Sequence, residues 1–270
     1  HASPTFFKSL VYAFARRLLV TFGPLSDGMR TGLQNGFDSG SSLDYVYRNK
    51  ASGRFGIGKL IDFFYLRATG WQGIRERKDH LRNTLELALQ ELNARGERPV
   101  VMDCAAGHGR YLFEAVANVS FPVTLRVRDL NSSNLQNSKK LAAEFGISDC
   151  QFEQVDAFDE SKYAELDFKP NIVIVSGLFE LFSDNRMLFK TLQGIKQVLQ
   201  PGGYIIYTGQ PWHPQLEMIA RTLNNHRGNR WIMRARVQAE LDALVKYVGF
   251  RKLDTVIDRL GIFTVSAAQK

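Results

Sequence analysis

The run Val100-Val101-Met102-Asp103-Cys104-Ala105-Ala106-Gly107-His108-Gly109-Arg110-Tyr111 holds the clearest capacity for chemistry in this 270-residue chain. An apolar strand ends in an acid, a turn of small residues follows, and a helix opens on Gly109. Small side chains let backbone N–H groups approach a bound ligand, and the helix start adds unpaired donors and the positive end of its dipole. An α/β sheet builds nucleotide-like pockets in this way, at the carboxyl end of its first strand. A dinucleotide fingerprint needs a third glycine three residues after the second. Leu112 stands there instead, which argues against a nicotinamide oxidoreductase.

Three more strand ends add polar and flat groups. Leu125-Arg126-Val127-Arg128-Asp129 ends in an acid 20 residues after Gly109. A carboxylate there can accept hydrogen bonds from both hydroxyls of a ribose. Cys150–Val155 runs into Asp156-Ala157-Phe158, an acceptor, a small residue and an aromatic ring suited to the edge and face of adenine. Asn171–Gly177 is a continuous apolar run closing on Ser176-Gly177, as expected of a strand buried on both faces of a parallel sheet.

These four ends, in this order, resemble the class I S-adenosylmethionine-dependent methyltransferases over roughly Pro99 to Ala267. In that family's first motif an acid is followed by alternating glycines. Asp103 stands at the acid, Gly107 and Gly109 at the second and third glycines, and Ala105 replaces the first. The resemblance implies S-adenosylmethionine as cofactor and S-adenosylhomocysteine as product. It implies that Asp129 holds the ribose, that Asp156 and Ala157 meet the adenine, and that His108 lines the methionine end. Leu130, Phe158 and Ser176 complete the implied cofactor set. Tyr47-Arg48-Asn49, Gly70–Arg75, Ser176–Phe182 and Gly209–Glu217 resemble a narrower bacterial methyltransferase group with no established acceptor. Its members sometimes sit beside, or are joined to, an α/β-hydrolase-like domain.

Methyl transfer from a sulfonium is an in-line displacement of an already activated group. The protein mainly aligns nucleophile, methyl and sulfur, and takes a proton where the acceptor carries one. A base is therefore expected where the fourth and fifth strands end. His213, between Trp212 and Pro214, is one candidate, and its bland alternative is a helix-start histidine packed on Trp212. Glu180 is the other, its alternative being an acid favoured by a helix dipole. Phe179, Gln210 and Trp212 share that edge as candidate acceptor contacts. Tyr47 and Arg48 would come from an N-terminal appendage of the kind that often shapes the acceptor pocket. Tyr47 and Trp71 can equally be core anchors. No residue spacing suggests a metal site.

Periodicity supplies the frame for these residues. An amphipathic basic helix is predicted over the first 22 residues, with Phe7, Leu10, Val11, Phe14, Leu18 and Phe22 in one stripe. Docking of that stripe on the protein's own core is favoured over a membrane interface. Gly28 to Ser42 reads as a loop, and helices are expected over 57–66 and 75–94. From Pro99 strand and helix alternate, with caps expected at Asn131 or Ser132 and at Ser183. Arg251–Asp258 and Ile262–Ala267 read as a hairpin around Leu260-Gly261. The expected fold is a doubly wound, mostly parallel seven-stranded α/β sheet with a C-terminal antiparallel hairpin and an N-terminal helical cap. The boundary falls between a cap at 1–96 and a cofactor-binding domain at 97–270.

The net charge of +8 is unevenly spread. Residues 1–98 carry 15 basic and 9 acidic side chains, 99–205 carry 10 and 13, and 206–270 carry 10 and 5. Arg221, Arg227, Arg230, Arg234 and Arg236 run without an intervening acid. Basic flanks on an acidic core suit a small-molecule or lipid-like acceptor, an anionic one included. RNA is a weaker partner, since only Trp231 interleaves the arginines. An RNA methyltransferase and a non-catalytic cofactor-binding protein at a membrane surface are the rival readings, with peripheral contact through residues 6–22. The two cysteines, Cys104 and Cys150, lie on predicted strands and fit reduced thiols of a cytoplasmic protein. No cleavable signal peptide is recognisable, and the chain opens on His1 rather than Met.

Overall fold

The computed structural model describes residues 6–270, and the first five residues of the predicted amphipathic segment lie outside them. Its helices are α1 (Phe6–Phe22), α2 (Asp27–Asn35), α3 (Gly40–Arg48), α4 (Ile57–Leu66), α5 (Thr69–Ala94), α6 (Arg110–Ala117), α7 (Ser132–Glu144), α8 (Ser161–Ala164), α9 (Asn185–Val198), α10 (Leu216–Thr222) and α11 (Gln238–Tyr247). Its strands are β1 (Val100–Cys104), β2 (Thr124–Asp129), β3 (Cys150–Gln154), β4 (Ile172–Val175), β5 (Tyr204–Gly209), β6 (Arg251–Ile257) and β7 (Thr264–Gln269). Contacts gather the chain into two compact units, His1–Arg75 with His213–Met233, and Glu76–Trp212 with Arg234–Lys270. The sequence boundary after Gly96 marks the end of α5, whereas this division runs through that helix.

In the sheet unit all seven strands join in the order β3-β2-β1-β4-β5-β7-β6. β1 to β5 pair in parallel, and β7 is antiparallel to both β5 and β6. Strand alternation divides the core in two. Val101, Ile172, Ile174 and Ile206 pack with leucines of α5 and with residues of α6 and α7. Met102, Val173, Val175, Ile205 and Tyr207 pack with residues of α9 and α11. β4 and β5 are buried throughout, which is why their sequences read as unbroken apolar runs. Parallel strands demand crossovers, and the crossovers put helices on both faces.

In the helical unit Asp62 of α4 is fully buried. Its Oδ1 accepts from the Ser26 hydroxyl at 2.6 Å and the Gly28 N–H at 2.9 Å. Its Oδ2 accepts from the Tyr45 hydroxyl at 2.6 Å and the Ser52 N–H at 2.9 Å. Four donors satisfy a carboxylate that would otherwise be too costly to bury, and they tie α2, α3 and α4 together. Trp71 stacks on Trp231 with centroids 6.2 Å apart and meets Tyr65 edge-on at 5.6 Å.

Several expectations need correction. The glycine-rich stretch from Gly28 to Ser42 is not a loop but most of α2 and the start of α3. Its glycines mark close packing: a Cβ on Gly28 would lie 2.6 Å from the Tyr65 ring, and one on Gly32 would lie 2.4 Å from Phe37. The cap before α9 is Asp184, whose carboxylate accepts from the Arg186 N–H at 2.9 Å, not Ser183. α5 begins six residues before the expected 75, at Thr69. The α1 stripe is not docked: Phe7, Leu10, Phe14 and Phe22 are each more than half exposed.

Candidate active site

At the end of β1 the chain turns through three left-handed residues, Ala105, Gly107 and Gly109, with φ of +62°, +61° and +69°. This conformation costs a residue with a Cβ about 1–2 kcal/mol, so Ala105 holds local strain where a glycine would not. The Ala106 N–H donates to the Arg128 carbonyl at 3.0 Å, and the Gly107 N–H donates to Asp129 Oδ2 at 2.8 Å. The acid ending β2 therefore braces the turn. Asp129 Oδ1 accepts from the Asn131 N–H at 2.8 Å and the Asn134 amide at 3.1 Å. Three of a carboxylate's roughly four acceptor positions are thus occupied within the chain. His108 Nε2 sits 3.3 Å from the Asn137 amide on α7.

Asp103 is fully buried at the same strand end. Its Oδ2 accepts from the Tyr111 hydroxyl at 2.5 Å, and its Oδ1 has no hydrogen-bond partner among the described residues. Burial raises its pKa to about 8; the Tyr111 bond opposes this rise, and the nearby Asp129 charge adds to it. Cys104 next to it is pushed up to about 12, chiefly by burial, and Cys150 on the half-exposed β3 likewise. Neither thiol is poised as a nucleophile.

Beyond β3, Asp156 is exposed and its Oδ1 accepts from the Phe158 N–H at 2.9 Å. The Ala157 carbonyl is held by the Tyr163 and Thr191 hydroxyls at 2.7 and 3.0 Å. Phe158 meets Phe182 edge-on with centroids 4.5 Å apart. Leu130 is 54% exposed directly after Asp129, an apolar surface beside the acid.

Ser176, half-buried, follows β4, and the Gly177 N–H donates to Thr208 Oγ1 on β5 at 2.8 Å. Glu180 lies in a short 3-10 turn, Phe179–Leu181, and pairs with Arg77 of α5, Nη1 to Oε1 at 2.8 Å. Both side chains are nearly inaccessible, 2% exposed for Arg77 and 5% for Glu180. Among the described residues Glu180 Oε2 has no hydrogen-bond partner, nor does Nε2 of buried Gln210 just past β5. Arg236 holds the same turn, donating to the Phe179 carbonyl at 2.8 Å and the Phe182 carbonyl at 3.0 Å. Arg234 donates to the Ser183 carbonyl at 2.7 Å and to Glu240 at 2.6 Å. The arginine run is thus no single patch, because Arg234 and Arg236 are internal struts. Arg77 and Tyr111 carry no sequence signal, since an arginine or tyrosine at a helical position reads as surface or packing, and Arg236 is legible only as a member of the arginine run.

The other predicted site residues fall as follows. Trp212 is 54% exposed at the end of the sheet unit. His213 belongs to the helical unit and is buried there. Its Nδ1 accepts from the Gln215 N–H at 3.1 Å, and its Nε2 lies 2.8 Å from where a Gly70 Cβ would stand. A neutral ring held this way carries its proton on Nε2 and donates from that side. Tyr47 is half-buried on α3. Arg48 is exposed, pairs with Asp44 at 3.2 Å and lies over the Tyr45 ring.

A sheet ordered 3-2-1-4-5-7-6, with its last strand pair antiparallel and its small-residue turn after β1, defines the class I methyltransferase fold. Residues 2–270 match the family model described as "Putative methyltransferase", and the chain belongs to that family. It is 46% identical over 261 residues to the uncharacterised protein YnbC of Escherichia coli (strain K12), covering 96% of this chain and 45% of that one. The chain thus spans a little under half of that relative's length. Among solved structures, a possible exported protein from Bordetella parapertussis aligns with a TM-score of 0.65 at 23% identity, over 84% of this chain and 79% of that one. Magnesium protoporphyrin IX methyltransferase from Synechocystis PCC 6803, solved with bound S-adenosylmethionine, aligns at 0.55 and 13% identity, over 89% and 96%. At these identities the structural likeness establishes the fold.

Proposed function

We propose that the protein transfers a methyl group from S-adenosylmethionine to a small or lipid-like acceptor at the carboxyl edge of the sheet. The observation that carries this reading is a set of three buried, unpartnered polar atoms. Asp103 Oδ1 lies at the end of β1, and Glu180 Oε2 and Gln210 Nε2 follow β4 and β5; the three strands are neighbours in the sheet. A buried polar group without a partner calls for one from outside the chain, a water, an ion or a ligand. The strand order reverses between β1 and β4, where α/β sheets bind ligands.

In this reading Asp103 receives the cofactor's cationic methionine end. Ala105, Gly107, His108 and Gly109 line that end, with Ser176 beside them. Asp129 takes a ribose hydroxyl, and Leu130, Asp156, Ala157 and Phe158 surround the adenine. The bound cofactor supplies an electrophilic methyl. Glu180 Oε2 and Gln210 Nε2 orient the acceptor, Glu180 as the hydrogen-bond acceptor, with Phe179 and Trp212 as apolar walls. The same reading places the enzyme in the cytoplasm.

Calorimetric titration with S-adenosylhomocysteine, with NADH as control, tests the cofactor. Micromolar binding of the first alone is expected, and binding of NADH alone would overturn the reading. A Gly107→Val variant should keep the fold and lose the binding. Affinity equal to wild type would sink the site assignment.

A further inference from the structure

Within the helical unit, α1 and α10 enclose an open cavity of about 650 Å³. Four arginines line it: Arg16 and Arg17 from α1, Arg221 at the end of α10, and Arg230 beyond it. The tyrosine and hydroxyls of Tyr12, Ser9 and Thr21 share the wall. Arg16 is anchored by bonds to the Thr222 carbonyl at 3.1 Å and Asn224 Oδ1 at 3.2 Å. Glu217 is the carboxylate on α10 nearby, already shared by Lys8 at 3.5 Å and Arg221 at 3.2 Å. Arg17 and Arg230 enter no ion pair among the described residues. Like charges so gathered repel, and the Arg16 pKa is lowered by burial and then by the Arg230 charge. Guanidinium forks match phosphate oxygens, so a phosphate would relieve the repulsion.

The cavity adjoins a surface of a different kind. Phe7, Leu10, Val11, Phe14, Leu18 and Phe22 are all exposed along one stripe of α1. Arg17, seven residues after Leu10, borders that stripe and also lines the cavity. A helix with such a stripe lies in a bilayer interface with its apolar side sunk to the acyl boundary, leaving its flanks at the level of the phosphates. Large exposed apolar surface next to unneutralised arginines is complementary to an anionic bilayer and to little else in water.

We infer that α1 docks the protein on an anionic phospholipid surface, its apolar stripe inserted and the arginine cavity between α1 and α10 holding a lipid phosphate headgroup. This goes beyond the reading above, and its test needs no turnover.

The test is co-sedimentation of the full chain with vesicles of phosphatidylcholine alone or mixed with phosphatidylglycerol. Partition into the mixed vesicles only is expected. Each interfacial arginine is worth about fivefold, so R17Q/R230Q should lower partition about thirtyfold. F14S should lower it too, while both variants keep the wild-type melting temperature because these side chains are exposed. S-adenosylhomocysteine binding should be unchanged in both, which separates failure here from failure of the cofactor reading. Equal partition into both vesicle types, or no loss in either variant, would overturn the inference. Saturable binding of inorganic phosphate or of RNA without vesicle partition would also overturn it, in favour of a soluble anion.

Discussion

Asp103 offers the sharpest quantitative test of the cofactor site. Its carboxyl is buried, with one oxygen unpartnered, and its pKa stands at about 8 in the free chain. At pH 7 such a group is about nine-tenths protonated. A cation seated against Oδ1 needs the carboxylate, so its binding must expel that proton. Expected release is about 0.9 proton per site at pH 7, about half at pH 8 and about a tenth at pH 9. Affinity for S-adenosylmethionine should rise close to tenfold per pH step below 8 and level off above it. Calorimetric titration in phosphate and in Tris reads the proton count from the difference in heats. Asp103→Asn should abolish the release and weaken binding. Identical heats in both buffers, or the same release from the Asn variant, would refute the reasoning. Stability gives a second sign. A carboxyl raised in the folded state is most favourable below its ordinary value of 3.8 and loses that advantage as pH rises towards 8. Without ligand, Asp103→Asn should therefore gain in stability over wild type through that window, with urea unfolding as the readout. At ~1.4 kcal/mol per decade the gain is capped at about 6 kcal/mol.

Three further outcomes are expected. Removing one member of the inaccessible Arg77–Glu180 pair, as in Arg77→Met, should cost about 3–5 kcal/mol, and Arg77→Met/Glu180→Gln should cost much less; additive losses in that cycle would show the two charges are uncoupled. Ala105→Gly removes about 1–2 kcal/mol of left-handed strain against about 0.5–1 kcal/mol of added chain entropy. A slightly raised melting temperature is expected, and a fall would mean the methyl packs favourably. Gly32→Ala places a methyl 2.4 Å from Phe37, so about 1–3 kcal/mol should be lost in denaturant unfolding; a neutral result would mean that the ring moves aside freely.

The strand ends are legible in the sequence because their signals are local. An apolar run, a terminal acid and small turn residues reveal a β-strand and the turn after it within a dozen positions, so Asp103, Gly107, Gly109, Asp129 and Asp156 can be placed at strand ends from the chain alone. Tertiary structure decided what those residues touch. Asp129 proves to brace the Gly107 amide, which needs β1 and β2 side by side. Glu180 proves to be paired with a residue 103 positions earlier, and no periodicity announces such a contact. Gly28 and Gly32 read as loop because glycine permits turns. They lie in a helix and are glycine because neighbouring rings leave no room for a Cβ, a fact that exists only once Phe37 and Tyr65 are packed. The arginine run divided in the same way, into struts for the turn after β4 and walls of the α1–α10 cavity. Sequence by itself determined the alternation of strand and helix and the residue types at the strand ends, since both follow from nearest neighbours along the chain. Burial, ion pairing and the exposure of the α1 stripe were decided only by the fold, because each depends on residues that meet across long loops.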